Sequence, residues 1–168
     1  MPESGPSIVL IGAPGAGKTR IGKRVARLLE LPFVDTDKRV VAAHGPIPRI
    51  FEEHGEPGFR DFERAQVELA LTEHGVVSLG GGAVLNPVTQ AELELLRVIQ
   101  LTVLPEVIAT RNIGAGRPLL SGGIDAWKAL VAERAPIYDR LASASFDTSV
   151  LPADRIADDI VRWLKENN

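Results

Sequence analysis

Ile8-Val9-Leu10-Ile11-Gly12-Ala13-Pro14-Gly15-Ala16-Gly17-Lys18-Thr19 sets a short apolar run directly before a complete G-x-x-x-x-G-K-T phosphate-binding pattern. Glycines let such a loop curl until successive backbone N–H groups point inward at one polyphosphate. A helix opening near Gly17 adds the positive end of its dipole at the same place. In this pattern Lys18 neutralises the β- and γ-phosphates and the Thr19 hydroxyl ligates Mg²⁺. The chemistry requires a strand before the loop and a helix after it, and both are legible. Beyond Thr19, the apolar residues Ile21, Val25, Leu28 and Leu29 recur at helical spacing on one face. The chain is therefore expected to bind a nucleoside triphosphate with magnesium, and what receives the phosphate becomes the question.

Composition narrows the setting. At 168 residues the chain is long enough for one self-sufficient core, and its 45% apolar and 24% charged residues are ordinary for a globular protein. A net charge of −3 and a pI near 5.7 argue against a nucleic-acid-binding surface. The absence of cysteine excludes disulfides and thiolate metal sites. No basic segment followed by a long apolar stretch opens the sequence, and nothing approaches the roughly 18 apolar residues of a membrane span. These features predict one cytoplasmic domain over residues 1–168, without membrane or nucleic-acid partners and acting as a monomer.

Apolar β-type runs alternate with helical patterns, which predicts an α/β fold: a parallel sheet covered on both faces. Strands are expected over 7–11, 33–35, 76–79, 98–103 and 145–147. Helices are expected over 18–30, 56–73 and 126–141, with shorter ones over 37–43, 48–53, 87–96 and 105–111. A last helix over 153–165 carries Ile156, Ile160 and Leu164 on one face. Residues 112–124 are glycine-rich and lack either periodicity. Beside a phosphate loop, a Gly-hinged segment carrying Arg117 reads as a lid that excludes water, rather than as an ordinary solvent loop.

Parallel strands deliver functional side chains at their C-terminal ends. The second strand ends in Asp35-Thr36-Asp37. Thr36 or Asp37 has the chemistry of a helix N-cap, while two carboxylates beside the phosphate site suit one Mg²⁺ ligand and one group that orients a hydroxyl and takes its proton. The third strand runs into Gly80-Gly81-Gly82, a costly run in backbone entropy that makes sense where a ligand approaches the main chain. Arg60 and Glu63 are i, i+3 neighbours, which by spacing alone is equally a surface ion pair. Phe51, Phe59 and Phe62 have the character of core residues. Pro136 inside a helical pattern is expected to kink or end the helix near Arg134 and redirect that side chain.

Taken in order, G-A-P-G-A-G-K-T at 12–19, D-T-D at 35–37, F-R-D-F-E at 59–63, G-G-G at 80–82, R-P-L-L at 117–120 and R-A-P-I-Y at 134–138 resemble the shikimate kinase family over nearly the whole chain. The resemblance implies a three-layer α/β/α P-loop kinase fold, similar to nucleoside monophosphate kinases, with a five-stranded parallel sheet in order 2-3-1-4-5. It implies transfer of the γ-phosphate of ATP to the 3-hydroxyl of shikimate, in the pathway to chorismate and aromatic amino acids. Carried over by matching positions, Asp37 binds the shikimate hydroxyls and acts as base, and Arg60 and Arg134 clamp the carboxylate beside Gly80, Gly81 and Gly82. ATP contacts fall on Gly15, Ala16, Gly17, Lys18, Thr19, Arg20, Arg111 and Arg117, and the Mg²⁺ site on Thr19 and Asp35. Asp37, Lys18 and Arg117 form the implied catalytic set. The chemistry is consistent with this, since a planar guanidinium fork pairs with both oxygens of a carboxylate.

Two departures stand out. The segment between Arg111 and Arg117 is slightly short, and Asp147-Thr148 is followed by Ser149-Val150-Leu151-Pro152 where many members carry an arginine. Adenine is then expected to rest on Arg111 and apolar contacts. Gluconate and nucleoside monophosphate kinases are the nearest alternatives, told apart by the joint presence of Arg60, the triple glycine and Arg134. A nucleotide-dependent switch is the alternative of another class, and the chain contains no N-K-x-D guanine signature.

Overall fold

In a computed structural model of the chain, residues 5–111 and 117–168 are described. The lid expected over 112–124 therefore lies partly outside the described residues. Strand β1 (Ile8–Gly12) is buried along its entire length. Its side chains alternate between two cores: Ile8 and Leu10 enter one, Val9 and Ile11 the other. Burial on both faces is why the strand reads as an unbroken apolar run instead of an alternating one.

The remaining elements follow in the order α1 (Lys18–Leu29), β2 (Phe33–Asp35), α2 (Thr36–His44), α3 (Ile47–Ala70), β3 (Val76–Ser78), α4 (Pro87–Leu93), β4 (Val98–Thr102), α5 (Pro105–Ile108), α6 (Ile124–Leu141), β5 (Ala144–Asp147) and α7 (Ala153–Glu166). The five strands form one parallel sheet in the order β2-β3-β1-β4-β5. Ser78 of β3 is paired with Leu10 of β1 on one side and Asp35 of β2 on the other. The turns after β2 and β3 thus leave the sheet at the same height, two residues before β1 ends at Gly12, and all three open at one edge, which is what brings their residues together.

The first core packs Ile21 and Val25 of α1 against Ile156, Ile160 and Leu164 of α7. On the opposite face Val67 of α3, Leu93 of α4 and Tyr138 of α6 cover Val9 and Val77. Helix α6 belongs to both, with Trp127 near its start in the first core and Tyr138 near its end in the second. A small third cluster of Val40, Ile50 and Phe59 joins α2 to α3. Among the described residues no helix is long and apolar enough to cross a membrane.

Several local expectations change. The helices expected over 48–53 and 56–73 join end to end in α3 across Gly55, whose φ of 69° and ψ of 178° interrupt the helical path. Pro57 falls in the first turn after that break, where its missing N–H has no helical partner to lose. Helices α4 and α5 end earlier than expected, at Leu93 and Ile108. Helix α6 neither ends nor breaks at Pro136 but runs on to Leu141. Buried anchors on both sides, Arg134 and then Tyr138 and Leu141, hold it in register through the lost hydrogen bond. The cap of α2 is Asp35, not Thr36 or Asp37: an Asp35 carboxylate oxygen accepts from the Lys38 N–H at 3.2 Å.

Candidate active site

The loop between β1 and α1 is held from outside. Gly15 and Gly17 take left-handed φ values of 82° and 97° on either side of Ala16. Alternation of this kind turns successive N–H groups toward one concave side. The loop carbonyls are all engaged elsewhere. Those of Gly12 and Ala13 accept from the Lys18 ammonium at 2.7 and 3.0 Å. The Pro14 carbonyl accepts from the Trp127 indole N–H at 2.8 Å, Gly15 from the Arg111 guanidinium at 2.5 Å, and Ala16 from the Thr148 hydroxyl at 2.7 Å. The Gly17 carbonyl takes the Ile21 N–H at 2.9 Å, the first bond of α1. A loop whose acceptors are all tied down presents donors to its hollow, and that is an anion site.

Lys18 closes this hollow over the ends of β2 and β3. Burial lowers its pKa to about 8, and the Arg117 and Arg134 charges push the same way while Asp37 and Asp35 oppose them. Lys18 is thus a cation lacking sufficient anionic partners, which a bound polyphosphate would supply. The Thr19 hydroxyl donates to an Asp35 carboxylate oxygen at 2.6 Å. A hydroxyl and a carboxylate at the mouth of a phosphate loop are hard oxygen donors. Among the described residues no group of three or more acidic, His or Cys side chains stands ready to hold a metal by itself. The pair accordingly fits Mg²⁺ of the kind that takes most of its ligands from phosphate and water.

Asp37 lies one helical position beyond Thr36, with its Oδ1 buried and lacking a hydrogen-bond partner among the described residues. Burial is the main cause that raises its pKa above 3.8, with Asp35 adding to it and Lys18, Arg60 and Arg117 holding it down. Between the two aspartates, Thr36 is fully buried, and its hydroxyl receives the Gly80 N–H at 3.3 Å. The middle residue of D-T-D therefore ties the α2 start to the glycine turn.

At this turn the protein's own side chains crowd the space that a side chain on any of the three glycines would need. Gly81 and Gly82 also line the cleft where these groups meet. A Cβ on Gly80 would overlap Asp37, one on Gly82 would overlap the Arg60 guanidinium, and one on Gly81 would press Arg134 Nη1 and Pro14 Cδ, each at 3.3 Å. None of the three has a positive φ, so what a side chain there would disturb is the placing of Asp37, Arg60 and Arg134 and not the backbone. The same crossing brings Asp37, Arg60 and Arg134 to one turn.

Arg60 and Glu63 do not form a surface pair. Glu63 is 4% exposed and accepts from Arg60 Nη1 at 2.8 Å. Burial raises the Glu63 pKa, and the Arg60 charge and hydrogen bond oppose the rise. Arg60 Nε is itself buried and unpartnered among the described residues. Arg134 is 3% exposed. Arg134 shares a face of α6 with Tyr138, whose hydroxyl donates to the Gly81 carbonyl at 2.6 Å.

These groups meet in a cleft of about 340 Å³ lined by Lys18, Asp37, Arg60, Gly81, Arg117 and Arg134. Arg20, Thr19 and Asp35 also reach it, and Phe51 and Phe59 form an apolar wall. Phe59 is at once core and wall, since it is buried in the third cluster as well. Gly80, Ala16 and Arg111 are not part of this lining. Ala16 is fully buried, and Arg111 bridges the Gly15 carbonyl to that of Thr148 at 3.2 Å. Sequence reading assigned no role to Tyr138, Trp127 or the Thr148 hydroxyl. The i, i+4 spacing of Arg134 and Tyr138 was a usable signal; the bonds of Trp127 and Thr148 span more than a hundred positions and left none.

Chemically, the cleft pairs an anion-binding loop with two arginines around a buried carboxylate, so it can hold a phosphate donor and an acidic acceptor together. Comparison with known proteins bears on the acceptor. A shikimate kinase family model matches residues 14–165. The shikimate kinase of Salinispora tropica is 42% identical over 163 residues, covering 95% of this chain and 98% of its own length. That of Thermobifida fusca is 44% identical over 166 residues, covering 96% of each chain. Among solved structures, shikimate kinase from Acinetobacter baumannii in complex with shikimate matches with a TM-score of 0.90 at 30% identity, over 98% of this chain and 95% of the other.

Proposed function

The chain belongs to the shikimate kinase family, and from that premise we propose how its cleft divides the transfer of the ATP γ-phosphate to the 3-hydroxyl of shikimate. The observation that carries the reading is the meeting of Lys18, Asp37, Arg60 and Arg134 in one cleft. The loop over 12–19 cradles the ATP phosphates, with Lys18 on the β- and γ-groups and Arg117 closing onto them from the rim. Thr19 and Asp35 hold Mg²⁺, which when bound neutralises phosphate charge. Arg20 and Arg111 complete the nucleotide contacts, Arg111 from the far side of the loop.

On the acceptor side, Arg60 and Arg134 clamp the shikimate carboxylate, which fixes the ring and brings its 3-hydroxyl to Asp37. The hydroxyl oxygen attacks the γ-phosphorus, the bond from that phosphorus to the β,γ-bridging oxygen breaks, and Asp37 accepts the hydroxyl proton. Shikimate 3-phosphate and ADP are the products. Transfer of this kind rests on positioning and charge neutralisation, so no covalent nucleophile is required. The reading takes the enzyme as a cytoplasmic monomer, in keeping with the lack of cysteine and with both clamps being supplied by one chain.

A coupled ADP-release assay with Mg²⁺ and ATP tests it across shikimate, gluconate, AMP and CMP. Turnover is expected with shikimate alone. Turnover with any of the other three and none with shikimate would overturn the proposal.

A further inference from the structure

The face of α6 that carries Arg134 and Tyr138 also carries Trp127, seven positions before Arg134 and so two helical turns away. Trp127 is 2% exposed, and its indole N–H donates to the Pro14 carbonyl at 2.8 Å. Pro14 in turn leans on the glycine turn, since a Cβ on Gly81 would meet Pro14 Cδ at 3.3 Å. Tyr138 fixes the carbonyl of that same Gly81 at 2.6 Å. One face of one helix therefore holds the tip of the phosphate loop at Trp127 and the acceptor turn at Tyr138, with Arg134 between them.

A proline carbonyl at a loop tip has no neighbour in the chain obliged to satisfy it. If it were released, the loop would lose one of the outward bonds that keep its N–H groups turned to the hollow. Burial of the indole supplies shape and apolar contact, which a phenyl ring largely replaces. The N–H it cannot replace. This separates a role in packing from a role in positioning.

We propose that Trp127 is a positioning residue for the phosphoryl donor: its N–H sets the phosphate loop through Pro14, and α6 fixes that loop relative to the acceptor turn. The proposal rests on the reading of residues 12–19 as the ATP site. Trp127→Phe is compared with the parent protein and with Ile160→Val, a change in the core between α1 and α7, as a control for general loss of stability.

Two readouts are taken: the Kd for Mg·ATP by calorimetry without acceptor, and separate KM values in the ADP-release assay. Loss of one hydrogen bond to a buried acceptor is expected to raise the Kd and KM for ATP about fivefold. The KM for shikimate stays within twofold, and Ile160→Val leaves all of these values in place. Equal ATP affinity in Trp127→Phe and the parent, or parallel weakening of ATP and shikimate in Trp127→Phe, would overturn the proposal. If Trp127→Phe fails to fold, benzothienylalanine at 127 in a Trp163→Phe background keeps the bicyclic shape without the N–H, and the same outcomes decide. A parent protein that binds ATP but does not phosphorylate shikimate would refute the functional reading instead, with the calorimetric comparison still deciding the role of Trp127.

Discussion

Gly82→Ala changes one hydrogen to a methyl group at the lining of the cleft, and it should disable recognition of the acceptor through Arg60. The backbone at Gly82 has φ −95° and ψ −1°, which alanine adopts without strain. The added Cβ would lie 2.6 Å from Arg60 Cζ and closer still to both terminal nitrogens, against an ordinary contact limit of 3.4 Å. For its two terminal nitrogens to clear the Cβ, the guanidinium must retreat by about 1 Å, and its 2.8 Å bond to Glu63 goes with it. Displacing a clamp by about 1 Å costs up to ~100-fold, and removing a buried charged partner costs ~2–5 kcal/mol. The KM for shikimate should rise roughly 10- to 100-fold, with the KM for ATP little changed. Gly81→Ala meets its neighbours at 3.3 Å and should be several-fold milder. The assay is ADP release with shikimate varied, run also in an Arg60→Ala background, where Gly82→Ala should add almost nothing. Fully additive effects, or an unchanged shikimate KM in a folded Gly82→Ala protein, would refute the reasoning.

Asp37→Asn should lower kcat by about 100-fold or more while ATP binding stays nearly intact, because the lost group serves the acceptor hydroxyl; a collapse of ATP affinity by calorimetry would move Asp37 into the magnesium shell. In a pH profile, kcat/KM for ATP should fall as pH rises through about 8, where free Lys18 loses its charge. The corresponding limb of kcat should lie higher, since bound phosphate stabilises the ammonium, and a kcat/KM flat well past that pH would exclude Lys18 as the titrating group. On the acid side, activity should fade at a pH above 3.8, because the base form of Asp37 is lost as pH drops through its raised pKa. Glu63→Gln keeps one acceptor for Arg60 but removes the charge, and should raise the shikimate KM by about 3- to 10-fold; an unchanged value would detach Glu63 from the clamp.

The donor half was legible because its signals are local. The apolar run 8–11, the loop glycines, Lys18 and Thr19 are contiguous, and each acts through backbone geometry that spacing alone dictates. The sheet was legible through β1, whose double-sided burial requires helices on both faces. In the acceptor half, the carboxylates of 35–37 and the glycines of 80–82 were legible from their place at strand ends, while Arg60 and Arg134 were legible only by likeness to a family, because they reach the site through tertiary packing. Local rules did not decide there: i, i+3 spacing left a surface pair open for Arg60 and Glu63, and Pro136 suggested a kink or an end to the helix. Burial of Glu63 settles the first, and α6 runs on past Pro136 to Leu141. The triple glycine was read from sequence as a place where a ligand approaches the main chain; that Asp37, Arg60 and Arg134 crowd it had no local signal, because they come from distant positions.

The central claim is that the two halves of the cleft join one phosphate to one particular hydroxyl. Its most direct measurement is phosphorus and proton NMR of the reaction of the purified protein with Mg²⁺, ATP and shikimate. The account predicts loss of the ATP γ-signal and growth of a single phosphomonoester coupled to the proton at C3 of the ring. Phosphate on another hydroxyl, or release of inorganic phosphate without a phosphorylated product, would contradict it.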